Sequence, residues 1–215
     1  MSRPLRIDFV SDVSCPWCVI GLRGLEEALE RLDGAVTADI HFQPFELNPD
    51  MHPDGEPIAE HLARKGMTAE QLAASRAVLV GRAAELGFTM ANAEDRRVYN
   101  TFDAHRLLHW AGPSGRQKDL KKALFESYFT HGESPADPDI LVAAAEKAGL
   151  DGREAREVLN SGRYDAEVRK AEQVWRSRGI NSVPAVVVEG RYLISGGQPP
   201  EAFEQALRQI ASEMA

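Results

Sequence analysis

The sequence predicts an α/β fold in which a strand–helix–strand unit opens the chain, a long all-helical stretch interrupts it, and a strand–strand–helix unit closes it. Three observations carry this reading. Alternating apolar residues mark both ends of the chain, apolar residues at helical spacing fill the middle, and the two cysteines stand together at the first strand-to-helix junction.

Leu5, Ile7 and Phe9 alternate with Arg6 and Asp8 as a strand requires, and Leu22, Leu25, Leu29 and Leu32 then recur as a helix face. Gly21 and Gly24 inside that helix each cost ~1 kcal/mol against alanine, a cost that close approach to the sheet would offset. Asp33-Gly34 supplies a glycine stop, and Val36, Ala38, Ile40 and Phe42 alternate as a second strand. A strand, helix and strand so joined form a parallel, right-handed unit. A proline-rich loop from Phe45 to about Pro57 follows, and from there to about Gly179 only helical patterns are found. Thr68 with Gln71 forms a capping box opening a helix that ends at Gly87. Further helices are expected over 102–111, 117–129, 138–148 (Asp137 as cap), 153–160 and 164–178. The sheet resumes as a hairpin, 184–188 and 192–195 about Glu189-Gly190, and a helix with Phe203, Ala206, Leu207 and Ile210 on one face ends the chain. The expected division is residues 1–56 and 163–215 for the two parts of the α/β domain, and 57–162 for the inserted helical domain.

The chemistry is expected at Ser14-Cys15-Pro16-Trp17-Cys18. A helix start has free N–H groups and the positive end of the dipole, so a Cys15 thiolate is favoured there, and Pro16 suits the first helical position. Cys18 falls one turn on, on the same face, within the spacing a disulfide accepts. Such a bridge closes almost no loop and adds little stability. The pattern therefore points to a redox pair, with Cys15 at the more exposed helix end attacking and Cys18 resolving. Two inert buried cysteines are the bland alternative. Zinc is the other: His105 and His109 complete a ligand set on paper, but a finger-like site spaces its pairs by ~12–15 residues and here the gap is about 90.

The chain has 215 residues, 43% hydrophobic and 27% charged, enough for one ordinary core, and no apolar run approaches the ~20 residues of a membrane span. Its net charge of −8 comes with no basic cluster, which argues against nucleic acid as a partner. The N-terminal residues pass into the first strand without an apolar signal segment, so the expected location is cytoplasmic, where a Cys-x-x-Cys pair is catalytic more often than structural.

Taken in order, Cys15-Pro16-Trp17-Cys18, Phe45-Glu46-Leu47-Asn48-Pro49-Asp50, Asn100-Thr101-Phe102-Asp103-Ala104-His105-Arg106-Leu107, Ser182-Val183-Pro184 and Ser195-Gly196-Gly197-Gln198-Pro199-Pro200 span nearly the whole chain. Together they resemble the DsbA-like branch of the thioredoxin fold, and within it the cytoplasmic FrnE-type oxidoreductases. The resemblance implies a thioredoxin fold with a large all-helical insertion. It also implies a cis peptide before Pro184, placed beside the cysteines, which leaves the Val183 backbone to pair with an extended substrate; without it, Pro184 would simply open an edge strand.

Three further residues are singled out. Trp17, between the cysteines, is read either as an aromatic contact for substrate or as packing against the inserted helices. Asp103 and His105 are placed to face the thiolate from the helical domain, where His105 could shuttle protons; a satisfied structural histidine is the alternative. The same superfamily contains kappa-class glutathione transferases and hydroxychromene-carboxylate isomerases, which have serine where Cys15 stands. That resemblance makes Ser182-Val183 and the 195–198 loop candidate glutathione contacts and glutathione a candidate co-substrate, with no bound cofactor. The expected function is exchange of the Cys-Pro-Trp-Cys dithiol with a protein or small-molecule disulfide. The alternatives are a glutathione-dependent isomerase or transferase, and a non-catalytic chaperone-like binder.

Overall fold

The computed structural model describes residues 3–52, 54–91 and 96–214. Its elements in chain order are β1 (Leu5–Ser11), α1 (Pro16–Arg31), β2 (Ala38–Pro44), β3 (Glu56–Pro57), α2 (Ile58–Arg64), α3 (Ala69–Glu85), β4 (Arg97–Val98), α4 (Phe102–Ala111), α5 (Gln117–Phe129), α6 (Pro138–Lys147), α7 (Gly152–Ser161), α8 (Asp165–Ser177), β5 (Ala185–Val188), β6 (Tyr192–Ser195) and α9 (Pro200–Glu213).

Four strands form one sheet in the order β2-β1-β5-β6, β1 parallel to β2 and antiparallel to β5, which in turn pairs antiparallel with β6. Period-two alternation sorts its side chains. Ile7, Phe9, Val186 and Val188 face one way, into a core with Leu22 and Leu25 of α1 and Phe203 and Leu207 of α9. Val10, Ala185 and Val187 face the other way, against Phe45, Trp175 of α8 and Ile180. The hairpin turns where Glu189 and Gly190 both take positive φ, and the Arg191 N–H closes it on the Val188 carbonyl at 3.1 Å.

The two glycines of α1 mark close approaches. A Cβ on Gly21 would lie 3.0 Å from Pro184 Cγ, and one on Gly24 would lie 2.7 Å from the Gln198 carbonyl oxygen. The helix is therefore held against the start of β5 and the loop before α9, and glycine is what permits that contact.

The inserted helices carry a second core, with Leu107, Leu120, Leu124, Leu141 and Val158 buried across α4 to α7. Leu79 and Ala83 of α3, and Phe125, Tyr128 and Phe129 of α5, belong instead to the core under the sheet. Thr68 and Gln71 make the reciprocal capping box, and Asp137 accepts the Asp139 N–H at 2.8 Å.

The expectation of helices alone between Pro57 and Gly179 is corrected in one place. β3 and β4 pair as an antiparallel ribbon, Glu56 opposite Val98 and Pro57 opposite Arg97, and α2 follows β3 directly. Two residues are too few for an alternating pattern to register, and their partners lie far apart in sequence.

Candidate active site

The site is built where β1 hands over to α1. Cys15 is the N-cap of α1 in extended conformation with Pro16 as first helical residue, and the Cys18 N–H reaches the Cys15 carbonyl at 3.1 Å. Both sulfurs are free thiols. The Val183–Pro184 peptide is cis, and the Val183 carbonyl accepts the Cys15 thiol at 3.6 Å. Cysteines, Val183 and Pro184, separated by almost the whole chain, thus meet at one point.

Exposure departs from expectation. Cys15 is 3% exposed and Cys18 0%, so Cys15 does not stand free at the helix end; the Val183 segment lies across it. The two thiols differ in their surroundings. Burial first, and then the neighbouring Cys15 sulfur, push the Cys18 thiol well above its ordinary value, so Cys18 is held as thiol.

Beneath Cys15 lies a residue the sequence reading did not single out. Asp12 is fully buried, and its carboxylate accepts the N–H groups of Ser14 at 3.2 Å and Leu47 at 2.8 Å, with His105 Nε2 3.6 Å away. Burial pushes this carboxyl up, but His105 and the two N–H donors outweigh it and hold Asp12 below the ordinary range. His105 therefore faces the site through Asp12. Asp103 does not join it there, being held by the Arg106 guanidinium at 2.7 Å, and the exposed His109 lies with its ring 5.0 Å from that of Tyr164.

Trp17 packs against its surroundings, as one of its two readings expected, and also borders a cavity. Its ring is partly buried against the core and lies under Arg82 of α3 at 5.4 Å, and it also lines a cavity of about 290 Å³ together with Ser14 and Pro16, the two residues that flank Cys15 in sequence. Leu62, Leu79 and Met90 are among the apolar residues that line it with them.

A second unanticipated residue is Lys121. It is fully buried on α5, and burial lowers it to about 8 against the opposing pull of Cys18, Asp12 and Cys15. A sequence signal did exist, since Lys121 shares a helical stripe with the buried Phe125 and Tyr128, where a lysine is out of place.

This arrangement, a sheet in the order β2-β1-β5-β6 with a Cys-x-x-Cys helix cap beside a cis-proline, defines a thioredoxin-fold protein with a helical insertion. The chain belongs to the DSBA-like thioredoxin domain family, whose model matches residues 6–208. It is similar to a probable DsbA oxidoreductase of Streptomyces coelicolor, at 37% identity and a TM-score of 0.90, with 97% of this chain and 91% of that one covered. It is 25% identical over 205 residues to the uncharacterized protein YwbO of Bacillus subtilis, covering 94% of this chain and 96% of that protein. A 2-hydroxychromene-2-carboxylate isomerase shares the fold at 15% identity, with a TM-score of 0.72 over 97% of each chain. Among the described residues, no helix is long and apolar enough to cross a membrane.

Proposed function

We propose that this chain is a dithiol–disulfide oxidoreductase. Cys15 attacks a substrate disulfide as thiolate, forming a mixed disulfide and releasing one substrate thiol. Cys18 then loses its proton and attacks the Cys15 sulfur, releasing the second thiol and leaving a Cys15–Cys18 disulfide. Two electrons pass to the substrate, and the reverse sequence oxidises a dithiol. The observation that carries this reading is the contact of the Cys15 thiol with the carbonyl of the cis Val183–Pro184 peptide, while Cys18 sits buried behind it. The attacking sulfur thus lies against the Val183 backbone that borders the substrate's path, and the resolving sulfur is kept away from competing disulfides.

Trp17 and the cavity beside it receive the group flanking the substrate sulfur, and Val183 and Pro184 border the path of an extended substrate. Glutathione is a candidate co-substrate and not a bound cofactor. The partner is a disulfide- or thiol-bearing protein or small molecule in the cytoplasm, as in the FrnE-type branch, with no role for nucleic acid or a membrane.

The test is turnover of a model disulfide such as insulin by wild type, Cys15→Ser and Cys18→Ser, with and without glutathione. Turnover by wild type, none by Cys15→Ser, and a trapped mixed disulfide in Cys18→Ser are expected. Activity of Cys18→Ser equal to wild type, only with glutathione present, would replace this reading by a glutathione-dependent isomerase or transferase. Suppression of aggregation by a Cys15→Ser variant, with no thiol exchange in any form, would identify a chaperone-like binder.

A further inference from the structure

The cavity beside Trp17 is cationic, in a chain whose net charge is −8. Among the described residues no aspartate or glutamate lines it, whereas Lys65, Arg76 and Arg96 do. Arg96 stands out among them. Its guanidinium lies over the rings of Tyr128 and Phe129, 5.6 and 5.2 Å from their centroids, and its Nε is shut off from solvent with no hydrogen-bond partner among the described residues. Two aromatic faces offset part of the cost of burying a cation, but a buried N–H donor left unpaired still costs the fold. Burial lowers the Arg96 pKa from its ordinary value and Arg76 acts in the same direction, so the lining is short of negative charge. His61 also lines the cavity, but Glu56 already binds it. Leu62, Leu79, Val80 and Met90 supply apolar surface. The walls come from α1, α2, α3 and α5, four elements around one volume of about 290 Å³, at the small end of the roughly 300–1,000 Å³ of small-molecule sites.

Resting on the dithiol reading above, we propose that the substrate is a low-molecular-weight disulfide with an apolar or aromatic body and a carboxylate, the body filling this cavity and the carboxylate held by Arg96. Ser14, Pro16 and Trp17 of the lining belong to the turn that carries Cys15, so a ligand seated in the cavity lies against the segment of the attacking sulfur. The exchange is the one set out above. Two protons and two electrons pass from Cys15 and Cys18 to the disulfide, which leaves as two thiols while a Cys15–Cys18 disulfide remains. The arginine fork matches a planar carboxylate with two parallel N–H bonds, and seating one gives the orphaned Nε the acceptor it lacks. A monoanion suits a guanidinium set in apolar walls better than a phosphate, whose second charge would be desolvated there. Lys65, exposed at the C-terminal end of α2, adds attraction as the anion approaches.

The test mixes reduced protein, in single turnover, with an anionic aryl disulfide, 5,5′-dithiobis(2-nitrobenzoate), and with the uncharged 4,4′-dithiodipyridine. Each rate is divided by that of the same probe with dithiothreitol, which removes intrinsic reactivity. Either probe releases one coloured thiol when Cys15 attacks and a second when Cys18 resolves. Wild type should favour the anionic probe. In Arg96→Met that preference should fall by roughly tenfold to a hundredfold, the worth of a hydrogen bond to a charged group. Arg96→Lys, which keeps the charge and loses the fork, should fall between the two. No preference in wild type, a preference unchanged in Arg96→Met, or equal slowing of both probes, as an arginine kept for structure would give, overturns the proposal. So does an insulin rate, normalised in the same way, above that of the anionic probe, which would assign the site to protein disulfides. Should Arg96→Met not fold, the wild-type concentration dependence decides: the rate with the anionic probe should level off at a lower concentration than with the neutral one, and equal levelling or two straight lines overturns the proposal. Release of one thiol or none from both probes would instead defeat the dithiol reading itself.

Discussion

At the scale of single residues, the site is governed by which polar groups are buried and how each is satisfied. Asp12 closes the turn into the first helix and ties it to Leu47 beyond the second strand, through N–H bonds of 3.2 and 2.8 Å. Its folded pKa lies below the ordinary 3.8, so its contribution to stability is present above that value and is lost as pH falls through the folded one. Asp12→Asn keeps the shape, loses the charge, and should cost about 1–3 kcal/mol at neutral pH. Urea denaturation of both proteins checks this, with the difference shrinking at pH 3. A difference equally large at pH 3 would show that geometry and not charge is the cause. Lys121 is the converse case, a buried amine that burial lowers to about 8 and whose burial is a cost to the fold.

At the scale of elements, packing distances decide what the sequence leaves ambiguous. Gly24 and Gly81 both interrupt helices, yet they should respond to alanine with opposite sign. At Gly24 the new Cβ would meet a backbone oxygen at 2.7 Å, forcing α1 away from the loop before α9 and costing about 1–3 kcal/mol. At Gly81 of α3 nothing lies within 4 Å, so Gly81→Ala should gain about 0.5–1 kcal/mol from helix propensity. Thermal melting of the two variants separates them: equal effects would mean that α1 does not sit as close as described. The same contact matters to the site, because Gly21 sets the distance between α1 and Pro184.

At the scale of the whole molecule, Glu46 joins three distant segments. Its carboxylate is bound by Arg169 of α8 and by Asn100 before α4 at 3.3 Å, while its own N–H donates to Glu172 of α8 at 2.8 Å. Burial, and then repulsion from Glu172, raise it to about 7 from 4.5 in spite of Arg169. A folded value above the unfolded one means a contribution fully present below about 4.5 and lost as pH rises through about 7. The melting temperature should therefore rise as pH is lowered from 8 to 5, and Glu46→Gln should flatten that rise. A variant with the wild-type slope would assign the dependence to another group.

The four strands of the main sheet, the helices from α3 onward, the placing of the cysteines at a helix start and the capping signals at Thr68 and Asp137 were determined by the sequence alone, because each depends on neighbours within a turn or two. The contact of Cys15 with Val183, the clasp of Asp12 on Leu47, the pairing of β3 with β4 and the burial of Lys121 beside His105 were decided only by the tertiary structure. Each of these joins residues far apart along the chain, and the path that brings them together, through the packing of inserted helices on a twisted sheet, leaves no local trace. Lys121 shows the boundary between the two: its place on an apolar stripe was legible, but the residues it meets, His105 of α4 and Phe42 of β2, lie elsewhere in the chain.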